Sequence, residues 1–433
     1  LQLTIEKLVY GGDGLARLPA DEHGPGKAVF VPFVLEGERV EASLHEQKRG
    51  FARGHAEKIL QASPQRVEPF CPYFQRCGGC QYQHSSYEHQ LEIKAAILRE
   101  NLRRMAKLEL ETKISIHPSP PWNYRNRTRL QVRTVPDFAL GYYKFSSHEL
   151  LPVENCPVSS PLINRAIAAF WQMGRERKVP DGIHEIEFFA NADDTRVLIG
   201  ASCQPGTAST PIREWADSLP SALSGITGIV VHRAGSSRVA GAGDAKQVAT
   251  SGAREIIYQT EKASYRASTG AFFQVNRHLI NELVAIVTEG FSGDTALDLY
   301  AGVGLFSTVL SRRFAQVIAV ESSQTSHADL VHNSPANVKA VRTTIADFFR
   351  SPGSRLRPDL VVVDPPRSGL GESVVQSLVG LGAHRMTYIS CDPATVSRDL
   401  AGLVSAGYRI EQVHLVDLFP QTYHLESVFQ LDR

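Results

Sequence analysis

Six cysteines stand in the 433 residues, and their spacing separates two kinds of chemistry. Cys71, Cys77 and Cys80 form a C-x5-C-x2-C run in which Gly78-Gly79 fills the tight interval. Glycines there let the backbone wrap a bulky centre and turn amides toward sulfur. Cys156, followed by Pro157, is the candidate for a fourth ligand. Four thiolates suit either zinc or a [4Fe-4S] cluster; three close cysteines with one distant favour the cluster, because zinc sites more often pair two C-x2-C knuckles. Cys203 has no partner nearby and reads as structural. Cys391 is different again: it closes the apolar run Thr387-Tyr388-Ile389-Ser390 and is followed by Asp392-Pro393. A run that stops on Asp-Pro reads as a buried strand delivering one thiol to a sheet edge, where open α/β sheets keep their chemistry. A packed core thiol is an equally good reading of that residue alone.

Acids at the ends of other apolar runs supply a binding site for the second chemistry. Thr295-Ala296-Leu297-Asp298-Leu299-Tyr300 runs into Ala301-Gly302-Val303-Gly304-Leu305-Phe306-Ser307, a glycine turn that opens a helix. The next strand, Val317 to Val320, ends on Glu321, placed to accept both hydroxyls of a ribose. Serine at 307 stands where a dinucleotide fingerprint needs its third glycine, so the turn suits S-adenosylmethionine better than NAD. Ile345-Ala346-Asp347 reads as a strand end that sets a carboxylate against an adenine amino group. Leu360 to Val363 reads as a buried strand ending on Asp364, held rigid by Pro365-Pro366. Asp-Pro-Pro-Arg resembles the Asn/Asp-Pro-Pro-Tyr loop of amino methyltransferases, with Arg367 in place of the tyrosine that would stack on a base.

Strands alternating with helices from Ser268 onward predict a parallel, doubly wound sheet to hold these residues. Ahead of it, residues 1 to about 63 read as short strands with glycine turns, a small β-barrel of a kind that binds oligonucleotides, with Lys48, Arg49 and Arg53 as a positive patch. Ser63 to Pro69 reads as a linker. Apolar residues from Ser86 to about Leu110 fall at helical intervals, with Lys94, Arg99, Arg103, Arg104 and Lys107 on the polar side. Alternate arginines at 125, 127, 129 and 133 would share one face of a strand, where they could grip phosphates while Trp122 and Tyr124 stack on bases; ten basic residues against three acidic ones between Lys94 and Arg133 favour nucleic acid over a face paired with acids from elsewhere. Residues 134 to 266 read as a mixed, largely β central domain.

Composition narrows the class. With 42% hydrophobic and 21% charged residues the chain reads as soluble, long enough for two or three domains. No run approaches the roughly 18 apolar residues of a membrane span; the start, Leu1-Gln2-Leu3, lacks a basic-then-apolar signal segment, and the missing initiator Met suggests a processed or trimmed terminus. Clustered cysteines point to a reducing compartment, hence the cytoplasm. The net charge of +1 neither demands nor excludes nucleic acid.

Taken together, Tyr10-Gly11-Gly12-Asp13-Gly14 with Phe30-Val31-Pro32 resembles the TRAM domain, an RNA-binding barrel. Phe272-Phe273-Gln274-Val275-Asn276, Asp298 to Gly304, Asp364-Pro365-Pro366-Arg367, Ser390-Cys391-Asp392-Pro393 and His424-Leu425-Glu426-Ser427 resemble the RNA uracil-5-methyltransferase family, most closely its 23S rRNA branch with TRAM domain and [4Fe-4S] cluster. The resemblance implies an α/β protein with a Rossmann-like class I methyltransferase domain (267–433), an N-terminal TRAM (OB-like) barrel (1–64) and a mixed, largely β central domain carrying the cluster (65–266), with the helix near 86–110 free to pack on the methyltransferase domain. It implies Cys391 as nucleophile and Glu426 as base, Gln274, Tyr300, Glu321, Asp347 and Asp364 around S-adenosylmethionine, and Cys71, Cys77, Cys80 and Cys156 on the cluster. The product would be 5-methyluridine in 23S rRNA, by a monomer with no membrane partner. Uridine in the tRNA T-loop is the alternative substrate; a non-catalytic RNA-binding protein and an iron-sulfur redox enzyme are the alternative classes. Leu305 departs from the asparagine that many members carry, so a side-chain contact to the cofactor is lost there.

Overall fold

The computed structural model describes residues 1–19, 26–222, 224–233, 246–351 and 356–433. The N-terminal strands Gln2–Thr4, Lys7–Leu8, Asp13–Arg17, Ala28–Pro32, Arg39–Gln47 and Phe51–Gln61 form one six-stranded sheet around a core of Leu3, Ile5, Val29, Val31, Val34 and Val40. Alternation of buried and exposed residues along Arg39–Gln47 turns one face inward. The basic patch expected here is largely neutralised, since Arg53 meets Asp13 at 3.1 Å and Glu46 at 3.5 Å, and Lys48 meets Glu46 at 2.8 Å.

A central seven-stranded sheet follows in the order Leu150–Pro152, Ala139–Tyr143, Arg127–Arg133, Ile183–Ala190, Val197–Cys203, Ile226–Arg233, Lys246–Gly252. The helices Pro161–Arg175 and Ser209–Ala222 share its apolar core, which includes Phe170, Trp171, Phe188, Ile212 and Trp215.

The C-terminal sheet has eight strands, in the order Val338–Arg342, Phe314–Glu321, Gly293–Leu299, Leu360–Val363, Arg385–Ser390, Glu426–Asp432, Arg409–Val416, Ile114–His117. Its first five strands pair in parallel, and Glu426–Asp432 lies antiparallel between Arg385–Ser390 and Arg409–Val416. Runs such as Leu360–Val363 are buried at every position, as strands covered on both faces must be. The edge strand Ile114–His117 comes from far upstream, and Ile93, Ile97, Leu98 and Leu102 of the helix before it enter the same core as Val396, Leu400 and Leu403. The segment 87–117 therefore belongs to this layer rather than to the central one. The helix itself runs Tyr87–Asn101, then widens into a π-turn over Leu102–Ala106. Among the described residues no helix is long and apolar enough to cross a membrane.

Candidate active site

The sheet register brings the two expected catalytic residues together. Ser390 pairs with Ser427 at the last step of the antiparallel ladder, so Cys391, just past one strand, and Glu426, which opens the other, lie at the same end of the pair, where the Glu426 carboxyl acts on the thiol. Asp364 lies one residue past Val363 on the next strand, whose last pair is Val363 with Tyr388. Three functional groups separated by up to 62 positions thus share one sheet edge. The turn after Cys391 is sharp because Asp392 caps the helix Pro393–Ser405: its carboxylate accepts from the amides of Ala394 and Thr395 at 3.0 and 2.9 Å, and proline occupies the first helical turn.

Burial dominates the electrostatics here. The Cys391 thiol is pushed up to about 12, first by burial and then by the Glu426 carboxylate, with Arg367 opposing. Glu426 is 4% exposed, and burial followed by the neighbouring Asp364 carboxylate pushes its pKa well above the usual carboxylate range, again with Arg367 opposing. Asp364 rises to about 7 through burial and then Asp298. Burial disfavours the ionised form of each group, and Arg367 is the cation that favours the Cys391 and Glu426 anions. Its backbone is anchored by Thr395, whose hydroxyl donates to the Arg367 carbonyl at 3.1 Å, and by Arg398, which donates to Ser368 at 3.0 Å. Arg367 stood in the Asp-Pro-Pro-Arg motif as a missing tyrosine; its chemistry depends on a fold neighbour that spacing does not reveal.

A pocket beside the glycine turn is lined by Phe272, Phe273, Gln274, Tyr300, Gly302 and Asp364, among others. Tyr300, Gly302 and Gly304 all have positive φ, at 64°, 57° and 90°, and a Cβ on Gly304 would come within 2.8 Å of Leu330. The glycines are therefore needed for this turn to close against the strand end. Glu321 ends its strand with its carboxylate accepting from the amides of Gly302 at 2.9 Å and Ser323 at 2.6 Å, which fixes it beside the turn as the sequence requires. One expectation fails: Ile345-Ala346-Asp347 is the start of the helix Ile345–Arg350 rather than a strand end, because Thr344 caps it through the Asp347 amide. The exposed Asp347 carboxylate is held by Thr344 at 2.7 Å and Arg350 at 2.7 Å; neither Asp347 nor Glu321 is among the residues that line the pocket. At Leu305 the carbonyl already accepts from the Tyr265 hydroxyl at 2.8 Å and the side chain is buried.

Cys71, Cys77, Cys80 and Cys156 line one cavity of about 230 Å³ together with Tyr124, Arg125, Tyr142 and Thr422. The amide of Gly79 donates to the Cys77 sulfur at 3.4 Å, Cys71 is fixed through its amide to Gln83 at 3.1 Å, and Cys156 through its amide to Asn164 at 2.9 Å. Burial pushes the Cys77 thiol up to about 11, with Cys156 and Cys71 adding, and raises Cys80 further. The buried Arg125 Nε, without a hydrogen-bond partner, is the cation beside these sulfurs. Among the described residues no three His, Cys, Asp or Glu side chains are grouped closely enough to hold a metal ion; what the four cysteines share is the cavity.

The basic middle departs from expectation. Lys94 is fully buried, donating to Asp417 at 2.6 Å and to the Phe419 carbonyl at 2.9 Å. Arg125 precedes the strand and faces the cysteine cavity. Arg127 pairs with Glu187 at 2.6 Å and lies over Phe189, and Arg129 pairs with Glu187 at 3.1 Å and Glu185 at 3.4 Å. The face is matched by acids of the adjacent strand, whose register sets Glu187 opposite Arg129. Tyr124 is fully buried, donating to the Pro420 carbonyl at 3.0 Å, and Trp122 packs against the exposed Phe70 at 5.3 Å between centroids.

Sequence reading missed Tyr10. Its hydroxyl donates to the Cys391 carbonyl at 3.0 Å, and its ring meets Tyr423 edge-on at 5.3 Å. Gly12 lets the barrel press this close, since a Cβ there would lie 2.9 Å from Gln81 Cβ. The Tyr-Gly-Gly motif was visible, but not that it docks on the thiol.

Comparison with known proteins agrees with this arrangement. Residues 86–433 match the tRNA (uracil-5-)-methyltransferase family and residues 1–56 match the TRAM domain. The chain is 31% identical to an uncharacterized RNA methyltransferase of Caldanaerobacter subterraneus, covering 100% of this chain and 98% of that protein. It is 31% identical to the 23S rRNA (uracil(1939)-C(5))-methyltransferase RlmD of Halomonas elongata and 32% identical to that of Chromohalobacter salexigens, covering 100% of this chain and 89% of each. In fold it is similar to the Pyrococcus abyssi tRNA (uracil-54, C5)-methyltransferase solved with S-adenosyl-L-homocysteine, with a TM-score of 0.76 and 23% identity over the full length of both.

Proposed function

The chain belongs to the tRNA (uracil-5-)-methyltransferase family, and from that premise we propose that it transfers a methyl group from S-adenosylmethionine to C5 of a uracil in 23S rRNA. The observation that supports the chemistry is that Cys391, Glu426 and Asp364 gather at one end of three neighbouring strands, within electrostatic reach of one another. The choice of 23S rRNA rests on the names of the two halomonad relatives.

Uracil C5 is a poor nucleophile because attack would disrupt a conjugated ring. Cys391, its proton lost to water as Arg367 favours the thiolate, adds through sulfur to C6, and the electron pair of the C5–C6 double bond moves to make C5 an enolate carbon. S-adenosylmethionine, which Gln274, Tyr300, Glu321, Asp347 and Asp364 would hold, would supply the electrophilic methyl; C5 takes it as the methyl–sulfur bond breaks and its electron pair stays on sulfur, leaving S-adenosylhomocysteine. Glu426, ionised, then removes the C5 proton; the C5–C6 double bond re-forms as the Cys391–C6 bond breaks and its pair returns to sulfur. Asp364, between the donor pocket and the thiol, orients the uracil. Arg367 favours both the thiolate and the glutamate anion. Cys71, Cys77, Cys80 and Cys156 would hold a [4Fe-4S] cluster, which when bound would cross-link the cysteine turn to the Cys156 loop. Iron and sulfide assays on anaerobically purified protein test that assignment; zinc alone would overturn it.

The functional test uses RNA with 5-fluorouridine at the target. Fluorine in place of the C5 proton blocks the last step, so a methylated protein-RNA adduct accumulates through Cys391. Adduct formed by Cys391→Ala would overturn the assignment. Running 23S rRNA and tRNA transcripts side by side decides the substrate.

A further inference from the structure

The segment Leu418 to Leu425 has no regular structure of its own except turns, yet it delivers Glu426 to the ladder. Its hold comes from elsewhere. The Gln421 carbonyl accepts from the amides of both Gln81 and Tyr82 at 3.0 Å, the two residues directly after Cys80. The Gln421 amide donates to the Gln90 carbonyl oxygen Oε1 at 3.0 Å, and the Gln90 amide nitrogen donates to Gln421 Oε1 at 3.0 Å. Gln421 is 3% exposed with φ of 69°, a left-handed conformation that a non-glycine residue keeps only when its surroundings impose it. On one side Tyr124 binds the Pro420 carbonyl; on the other Thr422 lines the cysteine cavity and the Tyr423 amide donates to Gln81 Oε1 at 3.4 Å. Gln81 also reaches back to the Gly78 carbonyl at 2.9 Å.

We propose that Gln421 is a positioning residue that couples the four-cysteine centre to Glu426, so that the cysteine centre sets the geometry of proton removal. The proposal rests on the reading of Glu426 as base. The path is short and continuous: Cys80, the amides of Gln81 and Tyr82, the Gln421 carbonyl, then five residues of chain to Glu426. Proton transfer is sensitive to misplacement of the base on the scale of an ångström. Adduct formation depends instead on Cys391, which enters from the opposite strand and is fixed by the Asp392 cap. Loosening Gln421 therefore impairs release and spares addition.

The experiment compares the parent protein with Gln90→Ala, Gln421→Gly and Gln81→Ala, the last removing the side chain that joins the Gly78 carbonyl to the Tyr423 amide. Glycine at 421 keeps the left-handed backbone while removing the side-chain bond. With 5-fluorouridine RNA, which never reaches release, the variants should form adduct within about threefold of the parent rate. With ordinary uridine RNA they should accumulate methylated adduct and turn over about tenfold more slowly. Amide exchange over 418–425, measured without RNA, should quicken about tenfold in all three. Addition and release falling together would show a merely structural role and overturn the proposal, as would unchanged partition or unchanged exchange. If the parent itself forms no fluorouridine adduct on any RNA, the uracil chemistry falls, and the exchange measurement still decides the coupling.

Discussion

At both sulfur sites of this chain burial is the largest cause that pushes the thiols up, and the two differ in what stands beside them. At the cysteine cavity the neighbouring Cys156 adds to the rise at Cys71, Cys77 and Cys80, and no carboxylate contributes. At the sheet edge a single thiol has the Glu426 and Asp364 carboxyl groups adding to the effect of burial and Arg367 opposing it. The first site sets sulfur among sulfurs, and the second sets one sulfur among acids and a cation.

The contrast breaks most visibly at Glu426. Glu426→Gln should leave addition within a few-fold and slow release by about a hundredfold to ten-thousandfold, the usual weight of a general base, seen as methylated adduct on ordinary uridine RNA in denaturing gels. Free turnover would remove Glu426 from its role. Next comes the cysteine cavity. Cys156→Ser should lose bound metal and lower the thermal midpoint by about ten degrees, whereas Cys391→Ala should stay within about 1 kcal/mol of the parent. Equal losses in both would erase the distinction between structural and reactive sulfur.

What was legible in the sequence follows the same division. Cys391, Asp364, Glu321 and the glycine turn were readable because each sits at the end of a strand, and the parallel sheet lines such ends along one edge. That four cysteines share a cavity was readable because the spacing is local for three of them. Arg127 and Arg129 read as free cations because their acidic partners, Glu185 and Glu187, lie on a strand more than fifty positions away. Lys94 misled likewise, its partner Asp417 being 323 positions distant. Asp347 was misplaced by a local signal, the Thr344 cap, that turns an apparent strand end into a helix start. Charge alternation shows which residues share a face; only register shows what that face meets.

A finer test reads the Cys391 thiol directly. With its pKa pushed up to about 12, alkylation of the free protein by iodoacetamide should climb about tenfold per pH unit from 7 to 10 without levelling, because the thiolate fraction keeps growing below that value. Arg367→Met should lower the rate at each pH by up to about tenfold, since the cation favouring the thiolate is gone. A plateau below pH 9 would mean that burial does not govern this thiol.

The smallest effect belongs to the barrel. Tyr10→Phe removes one hydroxyl that donates to the Cys391 carbonyl at 3.0 Å and keeps the ring against Tyr423. A single neutral hydrogen bond contributes about 1 kcal/mol, so addition to 5-fluorouridine RNA should slow about fivefold. RNA affinity should not change, because the lost contact lies within the protein. A loss of affinity with unchanged addition would instead make Tyr10 part of the RNA surface. Its place beside the thiol would then be incidental to the chemistry, and the barrel would serve the reaction only by holding substrate.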